Sequence, residues 1–387
     1  MNGKVSVRVV TSLGVAQTLA WASSYYLPAV LAAPLARDIG VATPTVFAAF
    51  SAALLVSAAL GPHAGQAIDR WGGRSVLIGT NLVFAMGLVA LGVVQGPWGL
   101  FAAWAILGIG MGSGLYEAAF AALVRLYGTS SRPAITGITL IAGFASTVGW
   151  PLSALLETHI GWRGACLTWA ALHLLVGVPL NAMLPRVDPL PAEPAAEALP
   201  ASVTTQATTR TGALLAVAFA ATWFVSTAMA AHLPQLLQAS GASLAVAVGV
   251  AALVGPAQVA GRILEFGLLR RIHPLWSARA AALMHPVGAA VLTMAGAPAA
   301  SVFALLHGAG NGILTIAKGT LPLVLFGPSG YGYRQGWLMV PARLAQALAP
   351  WLFGLLLSQW GVGALWLSAG IGLVAFASLA MLRTVER

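Results

Sequence analysis

Charge is what this sequence has least of. Of 387 residues only 7% are Asp, Glu, Lys or Arg, 9 acidic and 19 basic, against roughly a quarter in ordinary soluble domains. That deficit excludes a water-soluble enzyme of this length, and a hydrophobic content of 59% excludes a disordered or fibrous chain. Cysteine is nearly absent: Cys166 stands alone, so no intramolecular disulfide is implied. There is no nucleophile–base pair, no metal-ligand spacing and no ATP-binding motif, so neither enzymatic activity nor a cofactor is expected. The shortage of acid leaves a formal charge of +10. The basic residues stand singly between apolar runs, which reads as topology marking and not as a nucleic-acid surface. What remains is an integral membrane protein.

A helix needs about 20 predominantly apolar residues to cross the hydrocarbon core. Twelve such segments are found, at roughly 10–35, 45–67, 75–95, 99–125, 134–157, 163–184, 212–237, 243–267, 278–296, 299–325, 335–359 and 362–382. They lack the ten-residue alternation of barrel strands. The first reads as a span, since no small-residue cleavage site appears before Arg37. Residues 185–211, rich in Pro, Glu, Thr and Ala, read as a flexible linker between two sets of six. With both termini cytoplasmic, the inner loops and ends hold Lys4, Arg8, Arg70, Arg74, Arg125 and Arg132, and further arginines in the second half. The outer loops hold only Arg37 and Arg163. That is a strong positive-inside asymmetry.

The halves resemble each other. Gly61-Pro62 followed by Gly65-x3-Asp69-Arg70-x-Gly72-x-Arg74 answers to Gly255-Pro256 followed by Gly261-x3-Glu265 and Arg270-Arg271. Gly108-x-Gly110-x-Gly112 answers to Gly308-x-Gly310-x-Gly312, and the Gly137/Pro151 pair to Gly336/Pro350. Pairings offset by six helices indicate duplication of one unit. The GxGxG runs lie inside predicted spans with no preceding strand, so they read as helix-packing sites, not phosphate loops.

The segment Gly65 to Arg74 resembles the signature loop between the second and third helices of the major facilitator superfamily, with Ser75 where a second basic residue is common. With the spans, linker and degenerate second signature, the resemblance covers the whole chain. It implies an all-α integral membrane fold of 12 transmembrane helices in two pseudo-symmetric six-helix bundles, 1–184 and 212–387, joined by the cytoplasmic linker. It further implies alternating access to a central cavity lined by the first, fourth, seventh and tenth helices. Gly143, Gly149 and Pro151 loosely resemble the Gly/Pro pattern of the superfamily's drug–proton antiporters.

Charges within spans cost at least about 2.5–3.5 kcal/mol each, so they face a cavity or a partner. Gating is expected at Asp69, neutralised by Arg70 and Arg74, with Gly65 allowing close helix approach. Glu265 and Arg262, one turn apart, are their second-half counterparts. Aligning the GxGxG runs sets Glu117 one position from Lys318, while Arg343 lies deep in the eleventh span. Lys318 and Arg343 would attract an anion, Arg offering bidentate carboxylate binding. The same residues could instead form internal salt bridges with Glu117, which serves equally as proton carrier or fixed counter-ion. Trp21, Tyr25, Tyr26, Tyr116 and Asn311 are candidate substrate contacts, and Trp223, Ser226, Thr227 and His232 lie at comparable depth on the seventh helix. His173, His285 and His307 read as packing residues.

The expectation is a multi-pass inner (plasma) membrane transporter. It would act as a monomer, carry a small carboxylate-type anion, and couple to protons or exchange. The alternative is a proton-coupled exporter of cationic compounds, in which Glu117 recognises the cation. A non-transporting receptor or scaffold is disfavoured by the intact signature loop.

Overall fold

The computed structural model describes residues 5–187 and 203–383, and among these there is no strand. Apolar sequence favours helix in a membrane because a helix satisfies its own backbone hydrogen bonds. In chain order the helices are α1 Val7–Ser23, α2 Pro28–Ile39, α3 Thr43–Trp71, α4 Gly73–Gly92, α5 Pro97–Gly114, α6 Tyr116–Tyr127, α7 Arg132–Ala142, α8 Ala145–Leu172 and α9 Val178–Ala182. They continue as α10 Val203–Ala239, α11 Leu244–Ala251, α12 Val254–Gly267, α13 Pro274–Ala295, α14 Ala300–Phe326, α15 Tyr331–Trp360 and α16 Ala364–Ala380. Among the described residues, eight helical stretches are long and apolar enough to cross a membrane, and one of them, Pro97–Ala182, runs for 86 residues. At 1.5 Å per residue that stretch exceeds a single crossing several-fold. Large apolar side chains are exposed along the helices, Trp98 at 87%, Met294 at 84% and Leu175 at 74% among them. This is a surface suited to lipid and unsuited to water.

Two compact units emerge: Met1–Ala195 with Phe326–Trp337, and Ala196–Leu325 with Leu338–Arg387. The first turns of α15 therefore group with the first unit, which the sequence had assigned wholly to the second bundle. The linker expectation also needs correction at its C-terminal end. Residues 203–211 belong to α10, because no Pro or Gly follows Pro200 before Gly212 to stop the seventh span extending backward. Residues 188–202 lie outside the described part.

Several spans read as continuous are broken. Between α1 and α2 the hydroxyls of Ser23 and Ser24 turn back onto the Leu19 and Ala20 carbonyls (2.8 and 2.6 Å), and Pro28 starts the next helix without an N–H to continue the ladder. The fourth span breaks at Leu115, whose extended backbone follows Gly112-Ser113-Gly114. Gln17 Nε2 donates to the Gly114 carbonyl that the break exposes (2.7 Å). Gly161, at φ 71°, turns the chain inside α8, where only glycine is unstrained.

The glycine runs are packing sites. A Cβ on Gly108 would lie 2.5 Å from the Ala53 carbonyl oxygen and one on Gly112 2.9 Å from that of Ser57, both on α3. In the second unit a Cβ on Gly308 would lie 2.7 Å from the Val254 carbonyl oxygen, and one on Gly312 would fall on Gln258, both on α12. The middle glycines meet α4 through Phe84 and α13 through the Ala281 carbonyl. Each GxGxG thus lets one helix press against two neighbours, and the same device recurs at the same place in both units.

Candidate functional site

Asp69 lies in the last turn of α3 and is bound by a helix terminus. Its carboxylate accepts hydrogen bonds from the backbone N–H groups of Gly332 and Tyr333, each at 2.9 Å. These are unpaired donors of the first turn of α15, where the helix dipole favours negative charge. Gly65, one turn earlier on α3, permits the approach, since a Cβ there would collide with the Gly332 carbonyl. Arg125 Nε donates to the Asp69 backbone oxygen (3.1 Å). Arg334, near enough to act electrostatically on Asp69, donates to the Gly327 and Ser329 carbonyls (3.1 and 2.6 Å). The expected neutralisation by Arg70 and Arg74 is corrected here. Arg70 lies exposed beside the Trp71 ring at 5.7 Å, and Arg74 Nη1 donates to the Leu184 carbonyl (3.2 Å). Arg70 is exposed, and each carboxylate oxygen of Asp69 already accepts a backbone N–H.

The break between α1 and α2 gathers aromatic rings. Trp21 lies 5.2 Å from Tyr25, 6.2 Å from Tyr26 and 4.9 Å from Tyr116, centroid to centroid. Tyr25 and Tyr26 are edge to face at 5.5 Å, and Phe50 and Trp150 extend the group from α3 and α8 (5.5 and 5.8 Å). Trp21 and Tyr116 are buried while Tyr25 and Tyr26 are half-buried, so the tyrosine pair forms the accessible edge of the box. Glu117 follows Tyr116 in the first turn of α6. A carboxylate there is stabilised by the helix N-terminus, which the break at Leu115 creates. It is also within electrostatic range of the fully buried Tyr331.

In the second unit two cations share one ring. Lys318 Nζ on α14 lies 3.8 Å from the centroid of Trp223 on α10, and the Arg343 guanidinium carbon on α15 lies 5.8 Å from it. Both cations are buried, at 4% and 3% exposure, and so is the indole. The ring's electron-rich face offsets part of the cost of keeping them there, by up to about 2 kcal/mol for a desolvated pair. Arg343 Nη1 also donates to Gln346 Oε1 (3.1 Å), one turn on, which orients the guanidinium. Neither cation faces outward.

The remaining candidates fall elsewhere. Arg262 and Glu265 are buried one turn apart on α12. Asn311 lines a cavity of about 30 Å³ with Thr222, His285 and His307, room for about one water. His285 Nδ1 meets His307 Nδ1 at 3.1 Å, and His285 Nε2 meets Ser368 Oγ at 3.1 Å. Ser226 and Thr227 are on α10 with Trp223, and His232 Nε2 bonds the Pro350 carbonyl (2.7 Å). Sequence reasoning missed Gln17, Phe50, Trp150 and Gln346. Gln17 and Gln346 were open to the rule that singled out Lys318, a polar group inside an apolar run. The two rings carry no such mark.

Comparison with known proteins agrees with this architecture. The family model for the Major Facilitator Superfamily matches residues 13–317. The chain is 29% identical over 154 residues to an uncharacterized 38 kDa protein in a 23S RNA operon of Thermoproteus tenax, a match that spans 40% of each protein. Among solved structures, the human organic anion transporter MFSD10 (TETRAN) is 17% identical at a TM-score of 0.67, covering 96% of this chain and 99% of that one. FucP in its outward conformation is 14% identical at 0.76, covering 97% and 99%. A single-substitution variant of FucP, the E. coli fucose:proton symporter, is 15% identical at 0.73, covering 97% and 98%. At such identities the likeness shows the fold alone. The signature loop, the duplicated glycine runs and a family match over most of the chain lead to one assignment: this protein belongs to the major facilitator superfamily of membrane transporters.

Proposed function

We propose that the chain moves a small organic anion of the carboxylate type across an inner or plasma membrane by alternating access, coupled to protons or to exchange. In this reading twelve spans form two six-helix bundles, the first within 1–184 and the second beginning with α10, with both termini cytoplasmic. The observation that carries the substrate class is the pair of buried cations, Lys318 and Arg343, on the Trp223 ring. A carboxylate placed there gains charge-assisted hydrogen bonds in a low dielectric, from a guanidinium already oriented by Gln346. Tyr25 and Tyr26, with Trp21 and Tyr116 behind them, are the first unit's candidates for contact with the organic part of the substrate. Asn311 is the second unit's. Glu117 is the candidate for proton coupling.

The gate in this reading is Asp69 on the first turn of α15, with Gly65 one turn earlier allowing the approach, and Arg262 and Glu265 as the second-half counterpart. Bound to two N–H donors, Asp69 holds one state, and letting go of them opens the other.

The test is a thermal-shift screen of the purified protein against organic acids, amino acids and cationic dyes, repeated on Lys318→Ala. A ligand at 100 times its Kd stabilises by about 2.7 kcal/mol, a readily measured rise in Tm. Acids should give that rise in the parent and lose it in the variant. Hits confined to cationic dyes and kept by Lys318→Ala would sink the anion reading. The second reading, export of cationic compounds, draws on the aromatic box beside Glu117, since electron-rich rings and a carboxylate suit a cation. It requires Glu117→Gln to abolish binding.

A further inference from the structure

α3 has three faces, and the transport reading uses two of them. Ala53 and Ser57 back onto the glycines of α5, while Gly61, Gly65 and Asp69 meet the first turns of α15. The third is an exposed stripe formed by Phe47, Leu55, Ala59, His63, Gln66 and Arg70, at steps of three, four and eight that keep to one side of a helix. Its N-terminal part is apolar and its last turns are polar. Thr43 to His63 rises about 30 Å at 1.5 Å per residue, the thickness of the hydrocarbon core. The stripe therefore turns polar where α3 enters the headgroup layer.

These polar side chains find few partners in the chain. Among the described residues Arg70 touches only the exposed Trp71 ring, at 5.7 Å, and forms no ion pair, and the Gln66 amide makes no hydrogen bond. His63 Nδ1 donates to the Ala59 carbonyl (3.3 Å), which leaves Nε2 for a partner outside the chain. Asp69, next to Arg70 in sequence, is taken by the Gly332 and Tyr333 N–H groups. The neighbouring arginines are committed elsewhere, Arg74 to the Leu184 carbonyl and Arg125 to the Asp69 backbone oxygen. A topology signal requires only the arginine, since the positive-inside rule counts Lys and Arg. A glutamine and a histidine on the same stripe add nothing to it. They do add to a phosphate site, where a guanidinium binds two oxygens and an amide N–H a third. Trp71 beside them is a ring of the kind that settles at headgroup level.

We propose that the C-terminal end of this stripe binds the headgroup of an anionic phospholipid. Arg70 takes the phosphate, Gln66 and His63 lie beside it, and an acyl chain runs along Ala59, Leu55 and Phe47. The site is on the back of the helix that carries Asp69, so a bound lipid anchors α3 at the end where it holds α15. This goes beyond the transport reading and depends on membrane residence, not on the substrate.

Native mass spectrometry of the full chain in detergent, with phosphatidylglycerol or phosphatidylcholine added at equal concentration, reads the site directly. One phosphatidylglycerol should be retained in preference to phosphatidylcholine. Arg70→Gln should weaken that binding by about thirtyfold, the effect of losing hydrogen bonds to a charged partner. Gln66→Leu, which changes no charge, should weaken it by about fivefold. Arg74→Gln removes the same charge from a side chain committed to Leu184, and should cost no more than the roughly fivefold of any arginine near an anionic surface. Equal losses in Arg70→Gln and Arg74→Gln would mean a diffuse cationic collar and overturn the proposal. So would Gln66→Leu binding like the parent, or equal retention of the two lipids. If Arg70→Gln fails to fold, Gln66→Leu decides alone. Failure of the acid screen would remove the anion reading and leave this lipid measurement standing, so the two failures are distinguishable.

Discussion

Asp69 illustrates how one residue's chemistry is decided by what it meets. Its neighbours in sequence, Arg70 and Arg74, are the obvious counter-ions, yet its carboxylate binds the N–H groups of Gly332 and Tyr333, more than 260 residues away. Two charge-assisted bonds to a helix terminus are worth about 1–2 kcal/mol. Asp69→Ala should therefore raise the amide hydrogen-exchange rate of residues 332–333 by roughly tenfold and leave the α1–α2 segment unaltered. Unchanged protection at 332–333 would mean the carboxylate holds nothing there. Lys318 and Arg343 were legible as buried charges from their depth in apolar runs. That they share Trp223, and that Gln346 orients the arginine, depends on three helices meeting.

At the scale of the element, periodicity and hydropathy gave the helices but not their interruptions. A run of apolar residues contains no term for two serines returning to their own backbone at Leu19 and Ala20, or for a Gly-Ser-Gly sequence opening the fourth span at Leu115. Those interruptions matter, because they place Tyr25, Tyr26 and Glu117 at helix ends instead of mid-helix. The glycine runs were read correctly as packing surfaces, since without a hydrophobic drive between helices only small residues let backbones meet. Gly312→Ala should consequently lower stability by about 1–3 kcal/mol, read as a fall in Tm, because its Cβ would fall on the Gln258 carbonyl. Gly370→Ala, with nothing within 4 Å of its Cβ, is the control and should be neutral or slightly stabilising. Equal Tm for both variants would contradict close packing of α14 on α12.

For the whole molecule, charge asymmetry sets the proposed orientation. Carboxy-terminal fusions offer a direct check: green fluorescent protein should fluoresce there and alkaline phosphatase should be inactive, as required of a cytoplasmic end. An active phosphatase would invert the topology and with it the side on which the proposed gate at Asp69 lies. The duplicated glycine device, Gly108 and Gly112 against α3 and Gly308 and Gly312 against α12, supports a repeated unit.

By itself, the sequence determined membrane residence, helical class, family and the identity of the buried charges. Each follows from the cost of polar groups in hydrocarbon, a cost counted residue by residue along the chain. Tertiary structure alone decided which partners those groups find. It gave Asp69 a helix terminus, Lys318 and Arg343 a common indole, and His173 both a serine and an asparagine. Hydrogen bonds and cation–ring contacts act over a few ångströms between residues far apart in the chain, and only packing brings such residues within reach.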